Sequence, residues 1–308
     1  MIGTLKEPPY RRFFCCIMSN TKHMAKDYLR TDIALERAVR PKKDDFGVSR
    51  IDISPREAKI RRLSAGRYIS VESDSVAHGD KAKYTDIAIR LAGCIREVLP
   101  KGCKDYLVVG LGNATLTADS LGSKVLDRLI VTRHLKSVGD KMRKGMSKVC
   151  ILRPGVLGAT GVESFDIIKS VVDRLNPKCV IVVDSLAAAE YGRLATIFQV
   201  SDAGLTPGSG VGNRRHELSR ETLGCPVVTI GVPLVVYAST IVAGIIDRIS
   251  DKCKEEMHES ITDSLVNHIV TPKDIDFIVS ECADVAALAL NIALHEGLGV
   301  DEVRRIKG

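Results

Sequence analysis

The chain has 308 residues, of which 45% are hydrophobic, so it can build a packed core as one large domain or two ordinary ones. Its formal net charge is +7, but the basic residues are scattered, aromatic residues make up 4% and tryptophan is absent. Nucleic-acid surfaces normally cluster basic residues with aromatic residues between them, so direct nucleic-acid binding is disfavoured. The nine cysteines are dispersed without a CxxC pair, which favours reduced thiols in a cytoplasmic protein over disulfides or a metal site.

The first 46 residues differ from the rest of the chain because they are polar, basic and weakly periodic. We expect them to form an N-terminal extension, loosely attached and outside the core, with one short helix at 32–39. The apolar stretch in this part is too short for a signal peptide, and Met18 and Met24 are alternative starts to Met1. No linker or repeat interrupts the remainder, so residues 47–308 are predicted to form a single domain.

The remaining elements follow from hydrophobic spacing. Two alternating runs, 48–53 and 67–72, predict strands of a small antiparallel layer or of a sheet edge. A helix at 83–98 ends before Pro100. Further strands are predicted at 106–109, 149–152, 179–183, 196–200 and 227–230, and further helices at 120–135, 162–175, 186–191, 254–268 and 273–295. Such alternation predicts an α/β fold, with a mostly parallel sheet covered by helices on both faces and the antiparallel layer near the N-terminus.

One segment, residues 226–246, carries no charge over a length that could span a bilayer. Pro226, Gly231 and Pro233 divide it into a short strand, a turn and a helix starting near Leu234. We therefore predict a buried strand–loop–helix unit and no membrane partner.

Two aspartates are the candidate catalytic residues. Asp184 ends the apolar run CVIVVD, and Asp119 follows the glycine loop GLGNATLTAD that comes after another strand. Carboxyl ends of parallel strands share one edge of a sheet, so both side chains are expected in one cleft. Two close carboxyl groups cannot easily ionise together, so one can act as an acid and the other as a base around a shared water; a third ligand would instead make a metal site.

Each aspartate also has a purely structural interpretation. Asp184 would cap the predicted helix at 186–191, and Asp119 would be an acid in the first turn of the helix at 120–135. The glycine loops allow another function, an α/β enzyme that binds a nucleotide or phosphate. However, Thr115 takes the third glycine position of the dinucleotide fingerprint, and GxxxxGK(S/T) is absent. A second glycine loop, TPGSGVGN, spans residues 206–213. Its Ser209 lacks the GxSxG spacing of a serine triad, and His216 is the histidine that follows the loop.

Several long motifs occur in an order that resembles the germination proteases of endospore-forming bacteria, over residues 27–296. They are YLRTDIALE (28–36), VVGLGNATLTADSLG (108–122), LIVTRHL (129–135), RPGVLGATGVESFDIIK (153–169), VVDSLAA (182–188), QVSDAGLTPGSGVGNRR (199–215), ETLGCPVVTIGVP (221–233) and VTPKDID (270–276). The resemblance implies an endopeptidase that degrades small acid-soluble spore proteins in the spore core during germination. It also implies a homotetramer, made as a zymogen that removes its own N-terminal segment.

The same resemblance assigns the catalytic pair to Asp119 and Asp184, in an aspartic-type mechanism without a cofactor, and places the processing site between Asp32 and Ile33. The loop at 110–122 is also similar to that of hydrogenase maturation endopeptidases, whose corresponding acids help to bind nickel with a histidine. No histidine here is a confident match for that ligand, so a metal-free reaction is favoured and the metal dependence stays open. Substrate-binding residues are expected in the glycine loops and are Asn113, Gly208, Ser209, Gly210 and Asn213.

Two segments outside these motifs depart from the germination proteases in length. The residues before Met24 exceed the usual pro-segment, and residues 249–269 form a shorter region than in many relatives.

Overall fold

The computed structural model describes residues 31–37, 41–61, 63–135, 145–206, 216–249, 265 and 268–307. Its strands are β1 (Lys42–Lys43), β2 (Val48–Ile53), β3 (Gly66–Glu72), β4 (Asp105–Gly110), β5 (Lys148–Leu152), β6 (Cys179–Ala188), β7 (Ile197–Ser201), β8 (Val227–Tyr237) and β9 (Ile269–Val270). Its helices are α1 (Ala34–Arg37), α2 (Pro55–Arg61), α3 (Tyr84–Val98), α4 (Leu121–Asp127), α5 (Leu157–Thr160), α6 (Ser164–Leu175), α7 (Arg220–Leu223), α8 (Ala238–Ile249), α9 (Ile275–Leu294) and α10 (Val300–Lys307).

In this part of the chain the strands form one nine-stranded sheet in the order β1-β2-β3-β7-β8-β6-β4-β5, with β9 beside β8. Strands β5, β4, β6 and β8 run parallel to their neighbours in that order. Antiparallel β7 continues the sheet from β8 to β3, β2 and β1. The α/β fold is confirmed. The antiparallel strands near the N-terminus form an edge of this same sheet, which is one of the two arrangements that their pattern predicted.

Helices cover both faces of the parallel strands, as predicted. On one face, Val108, Ile181 and Val183 pack in a core cluster with residues of α3, α4 and α9. On the other face, alternate residues of the same strands pack with Ile168 and Val172 of α6. The strands are therefore apolar on both sides, which explains their continuous hydrophobic runs.

One described helix, α9, is long and apolar enough to cross a membrane by length and composition. It is 78% buried inside the protein and lies against α3 and α4, so it is a core helix of this fold. The uncharged segment at 226–246 is also accounted for, because most of it forms central strand β8 and the start of α8.

Two predicted boundaries around the sheet centre are wrong. The helix expected at 186–191 is absent, since β6 runs on to Ala188 and stays paired with β8. Likewise β8 runs through Pro233 to Tyr237, and the next helix begins at Ala238 instead of near Leu234. A register shift follows the Leu186–Pro233 pair, and such an irregularity is where a sheet tolerates proline. Pairing with β8 overrides the helical preference of the leucine and alanines at 186–188.

The segment before the sheet is also packed more tightly than expected. Ile33 and Ala34 are fully buried and Leu35 is 8% exposed, so loose attachment is wrong for residues 31–37. Helix α1 begins at Ala34, two residues after the predicted start, and the end of the predicted 32–39 helix lies outside the described residues. Strand β1 joins the sheet before residue 47. The division into an extension and a domain at residues 46 and 47 stays a prediction.

Two differences concern the other helices. Helix α4 ends at Asp127, whereas the apolar pattern predicted a helix to Leu135. Helix α10 is an additional element after the predicted 273–295 helix, which corresponds to α9. Most of the predicted 254–268 helix lies outside the described residues.

Candidate active site

The glycine loop after β4 folds back onto the start of α4. A Cβ atom on Gly110 would lie 2.6 Å from the backbone of Gly122, and one on Gly122 would lie 2.5 Å from the carbonyl oxygen of Leu111. Gly112 has a positive φ of +94°, and a Cβ there would lie 2.1 Å from the backbone oxygen of Asp119. The loop's own backbone fills these spaces, so close packing explains the glycines without a bound phosphate.

Asp119 is held by this loop. It ends a 3-10 turn, Thr117–Asp119, and its Oδ2 accepts the backbone N–H of Asn113 at 2.7 Å. The turn is tied to the start of α9, because Thr117 Oγ1 donates to Asp276 Oδ1 at 2.8 Å. Ser120 occupies the N-cap position of α4, so Asp119 precedes the helix and is not an acid of its first turn. The loop and turn thus set where the Asp119 carboxyl group lies.

Asp184 lies within β6, and its Oδ1 accepts the N–H of Ser185 at 2.9 Å. Since no helix starts at Leu186, the interpretation of Asp184 as a helix cap is wrong. The residue keeps partial solvent exposure. Nevertheless, burial of its carboxyl group raises its pKa well above the usual aspartate value, and the negative charges of Asp119 and Asp32 raise it further. The structure therefore brings together both predicted catalytic residues and one residue of the predicted processing site.

The backbone around that predicted processing site lies against β6 and β7. The N–H of Asp32 donates to the carbonyl oxygen of Ala187 at 3.0 Å, and Asp32 Oδ2 accepts the Ala187 N–H at 2.9 Å. Gln199 Nε2 donates to the carbonyl oxygen of Asp32 at 3.0 Å, and Gln199 Oε1 accepts the N–H of Ala34 at 2.8 Å. The Asp32–Ile33 peptide bond is thus held from both of its sides.

The side chain of Ile33 fills a buried apolar pocket. Its neighbours in this cluster are Leu35, Ala188, Leu194, Ile197 and Val236. These residues come from α1, from the end of β6, from β7 and its approach, and from the end of β8. The extra length of β6 and β8 beyond the predicted strands therefore builds much of the pocket.

Glu36, like Ile33, has several contacts with the rest of the protein. Its carboxylate accepts the N–H groups of Ala189 and Glu190 at 2.8 and 3.2 Å and the hydroxyl of Thr31, and Arg193 Nε lies 3.7 Å away. Burial raises the pKa of Glu36, and these partners oppose that rise. The segment is thus attached to the rest of the protein at three points. These are the Asp32 backbone, the Ile33 side chain and the Glu36 carboxylate.

Of the other predicted site residues, some lie within the described ranges and others lie outside them. Asn113 lies in the loop beside Asp119, and its Oδ1 accepts the N–H and hydroxyl of Thr115 at 3.0 and 2.8 Å. Four predicted substrate-binding residues fall outside the described residues; they are Gly208, Ser209, Gly210 and Asn213. His216 stacks near Phe165, with ring centroids 4.8 Å apart. Within the described ranges, no group of three or more His, Cys, Asp or Glu side chains forms a candidate metal site.

Sequence reasoning missed Gln199, Glu36 and Arg193 at this site. A signal for Gln199 exists, because it is a large polar residue in the middle of the strand IFQVS, in which every residue is buried. No comparable pattern marks Arg193, which lies in a short 3-10 turn on the surface.

The family model described as germination protease matches residues 18–267. The chain belongs to the germination protease family. Membership makes it a peptidase of spore germination and confirms the family resemblance drawn from its motifs. Family membership alone tests neither the similarity of the loop at 110–122 to other endopeptidases nor the assignment of Asp119 and Asp184 as the catalytic pair.

Curated relatives support this membership over most of their length. The germination protease of Clostridium acetobutylicum is 34% identical over 290 residues, covering 85% of this chain and 89% of its own. That of Caldanaerobacter subterraneus is 35% identical over 320 residues, covering 90% and 98%. Among solved structures, a nickel–iron hydrogenase maturation protease from Thermococcus kodakarensis matches with 19% identity and a TM-score of 0.35, covering 64% of this chain and 98% of its own. A likeness of that size carries no argument about the site.

Proposed function

We propose that this germination protease is an endopeptidase that cleaves small acid-soluble spore proteins, and that Asp119 and Asp184 activate the attacking water. We further propose that it is made as a zymogen that cuts its own Asp32–Ile33 bond. The observation that carries the proposal is the raised pKa of Asp184, caused by burial and by the charges of Asp119 and Asp32. A carboxyl group that keeps its proton beside an ionised one is the arrangement that aspartic-type hydrolysis requires.

The two carboxyl groups take different roles in the proposed reaction. Water adds to the scissile carbonyl carbon while ionised Asp119 takes one of its protons. Protonated Asp184 donates its proton to the carbonyl oxygen, which gives a tetrahedral diol. Collapse of the diol breaks the C–N bond, the proton on Asp119 passes to the departing nitrogen, and a hydroxyl proton returns to Asp184. Both residues end in their starting states.

The setting of the reaction is part of the proposal. We place the enzyme in the cytoplasm of the spore, the spore core, as a homotetramer that acts without a cofactor or membrane. Family membership and the free thiols of the described cysteines support this setting. Light scattering of the purified protein tests the assembly.

Self-processing of the purified full chain tests the catalytic assignment. Intact mass should show a new N-terminus at Ile33 in the wild type, while Asp119→Asn and Asp184→Asn should stay uncut and should not cleave a small acid-soluble spore protein. Asp166→Asn is the matched control, because Asp166 is an exposed acid in the first turn of α6. Full processing by Asp184→Asn would refute the proposed mechanism.

The same assay separates the remaining alternatives. Cleavage that survives a chelator supports a metal-free reaction, whereas cleavage lost with chelator and restored by added nickel or zinc supports a metal enzyme. Tight nucleotide binding in calorimetry, without any peptide cleavage, would favour the α/β phosphate-binding alternative.

A further inference from the structure

Gln199 makes an unusual pair of contacts with the segment that carries the proposed processing site. Its side-chain amide donates to the carbonyl oxygen of Asp32 at 3.0 Å and accepts the N–H of Ala34 at 2.8 Å. One amide thus bonds to the backbone on both sides of Ile33. Both contacts are made to main-chain atoms, so they do not depend on which side chains the bound segment carries.

The position of Gln199 is set by the sheet. Gly231 of β8 pairs with Asp184 of β6 on one side and with Gln199 of β7 on the other. Directly paired residues of neighbouring strands carry their side chains on the same face. The Asp184 carboxyl group and the Gln199 amide therefore lie on one face of the sheet, in one row, with a residue that has no side chain between them.

Gln199 is also buried, with 6% of its surface exposed, in a strand whose other residues are all buried. Burying a polar amide is costly unless its donor and acceptor are both bonded. The bonds to Asp32 and Ala34 satisfy one donor and the acceptor of this amide. An apolar residue would avoid that cost, so a polar side chain here is explained by the backbone that it binds.

We propose that Gln199 is a further catalytic residue, which grips the substrate main chain across the scissile bond and polarises its carbonyl group. This inference rests on the proposed cleavage between Asp32 and Ile33. The carbonyl oxygen that Nε2 contacts is then the oxygen that gains negative charge when water adds to the carbon. A donor aimed at such an oxygen stabilises the transition state more than the ground state. The bond from Ala34 to Oε1 holds the leaving side of the peptide in register.

Self-processing of the full chain, followed by intact mass, measures the contribution of Gln199. Gln199→Met keeps a similar size and loses both hydrogen bonds, and it should slow cleavage roughly 100-fold, as does loss of one oxyanion donor elsewhere. Gln199→Glu keeps the acceptor and, once ionised, loses the donor. It should be slow at neutral pH and recover as the pH falls and the new carboxyl group gains a proton.

A backbone ester separates a direct grip from a merely structural role. Replacing Ala34 by its hydroxy acid removes the N–H that Gln199 accepts, and it should slow the wild type about tenfold. In Gln199→Met the same ester should cost nothing further, because the partner is already gone. An ester at Leu35 serves as the control and should affect both proteins alike. A structural role predicts that the ester at residue 34 costs the same factor in both proteins.

Each outcome of these experiments bears either on the role of Gln199 or on the proposed function. Processing by Gln199→Met within threefold of the wild type, or an undiminished ester penalty in that variant, would overturn the role of Gln199. If Gln199→Met does not fold, as judged by circular dichroism, the Gln199→Glu variant decides alone: a rate equal to that of the wild type at neutral pH overturns the inference. Inactive Asp184→Asn with active Gln199→Met would refute this inference and leave the proposed function standing, whereas active Asp184→Asn would refute the proposed function.

Discussion

Two segments meet near Asp184, and they are held there in opposite ways. The loop at 110–122 is built from its own backbone, because Gly110, Gly112 and Gly122 let the chain pack against itself. The segment at 31–37 instead bonds to residues such as Ala187, which is 155 positions away along the chain. The Asp119 carboxyl group is therefore positioned locally, whereas the Asp32–Ile33 peptide bond is positioned by distant parts of the sheet.

The largest effect is expected from a substitution in the self-packed loop at 110–122. Gly122→Ala places a Cβ atom 2.5 Å from the Leu111 carbonyl oxygen, and that backbone atom cannot move aside cheaply. The start of α4 should shift, Asp119 with it, and self-processing should fall by about 100-fold, since small misplacements cost that much in catalysis. Overpacking should also cost about 1–3 kcal/mol of unfolding free energy in urea.

Gly93→Ala provides the matched control for Gly122→Ala. A Cβ atom on Gly93 meets nothing within 4 Å, and the residue lies in the middle of α3. Alanine is the better helix former by about 1 kcal/mol, so this variant should be slightly more stable and process normally. Normal processing by Gly122→Ala would show that the loop does not position Asp119.

A second prediction tests the distant attachment of residues 31–37. Ile33 and Leu121 are both fully buried. We expect the segment at 31–37 to open locally without unfolding the core, because it lies near the N-terminus and contacts the sheet from outside. Leu121→Ala should cost about 2–5 kcal/mol of unfolding free energy, while Ile33→Ala should cost less, because undocking limits the loss. Processing should nevertheless slow in Ile33→Ala. The control is Ile60→Ala, at a position that is 81% exposed. Equal losses for the two buried residues would contradict a separately docked segment.

The raised pKa of Asp184 gives a smaller effect on stability. A carboxyl group with a raised folded-state pKa favours folding while it is protonated and loses that advantage as the pH rises through the folded value. Asp184→Asn should therefore raise the thermal midpoint at pH 7 by a few degrees, and the gain should vanish below about pH 4, near the ordinary aspartate pKa. Calorimetry across pH measures this. A midpoint lowered at pH 7 would contradict a strained carboxyl group.

The smallest expected effect concerns Asp32, whose negative charge contributes to the raised pKa of Asp184. Removing that charge in Asp32→Asn should lower the pKa of Asp184, so it loses its proton at a lower pH. The alkaline limb of the processing profile should then shift towards lower pH. Asp74→Asn, an exposed acid paired with His78, is the control and should leave the profile unchanged. A shift in the opposite direction would show that Asp184 does not act as the acid.

The two halves of the site also differ in how far the sequence predicts them. Asp119 and Asp184 are visible because each follows a local signal, a glycine loop or an apolar strand. The extension of β6 past Asp184 is not visible, since sheet pairing overrides the local preference of Leu186 and its alanines. Burial of Ile33 is likewise hidden, because its pocket comes from residues far apart in sequence. Long-range packing therefore accounts for most of what sequence reasoning misses.

The continuation of β6 to Ala188 and of β8 to Tyr237 has a consequence for the shape of what can bind. In many open α/β proteins the strands stop at the site, and the crevice beyond their ends suits a compact small molecule. Here the strands carry on, and residues 31–33 lie beside the end of β6, where Asp32 bonds to the backbone of Ala187. A polypeptide can bind along such a surface and extend beyond it at both ends. Only substrates with several consecutive residues free of folded structure can bind in this way.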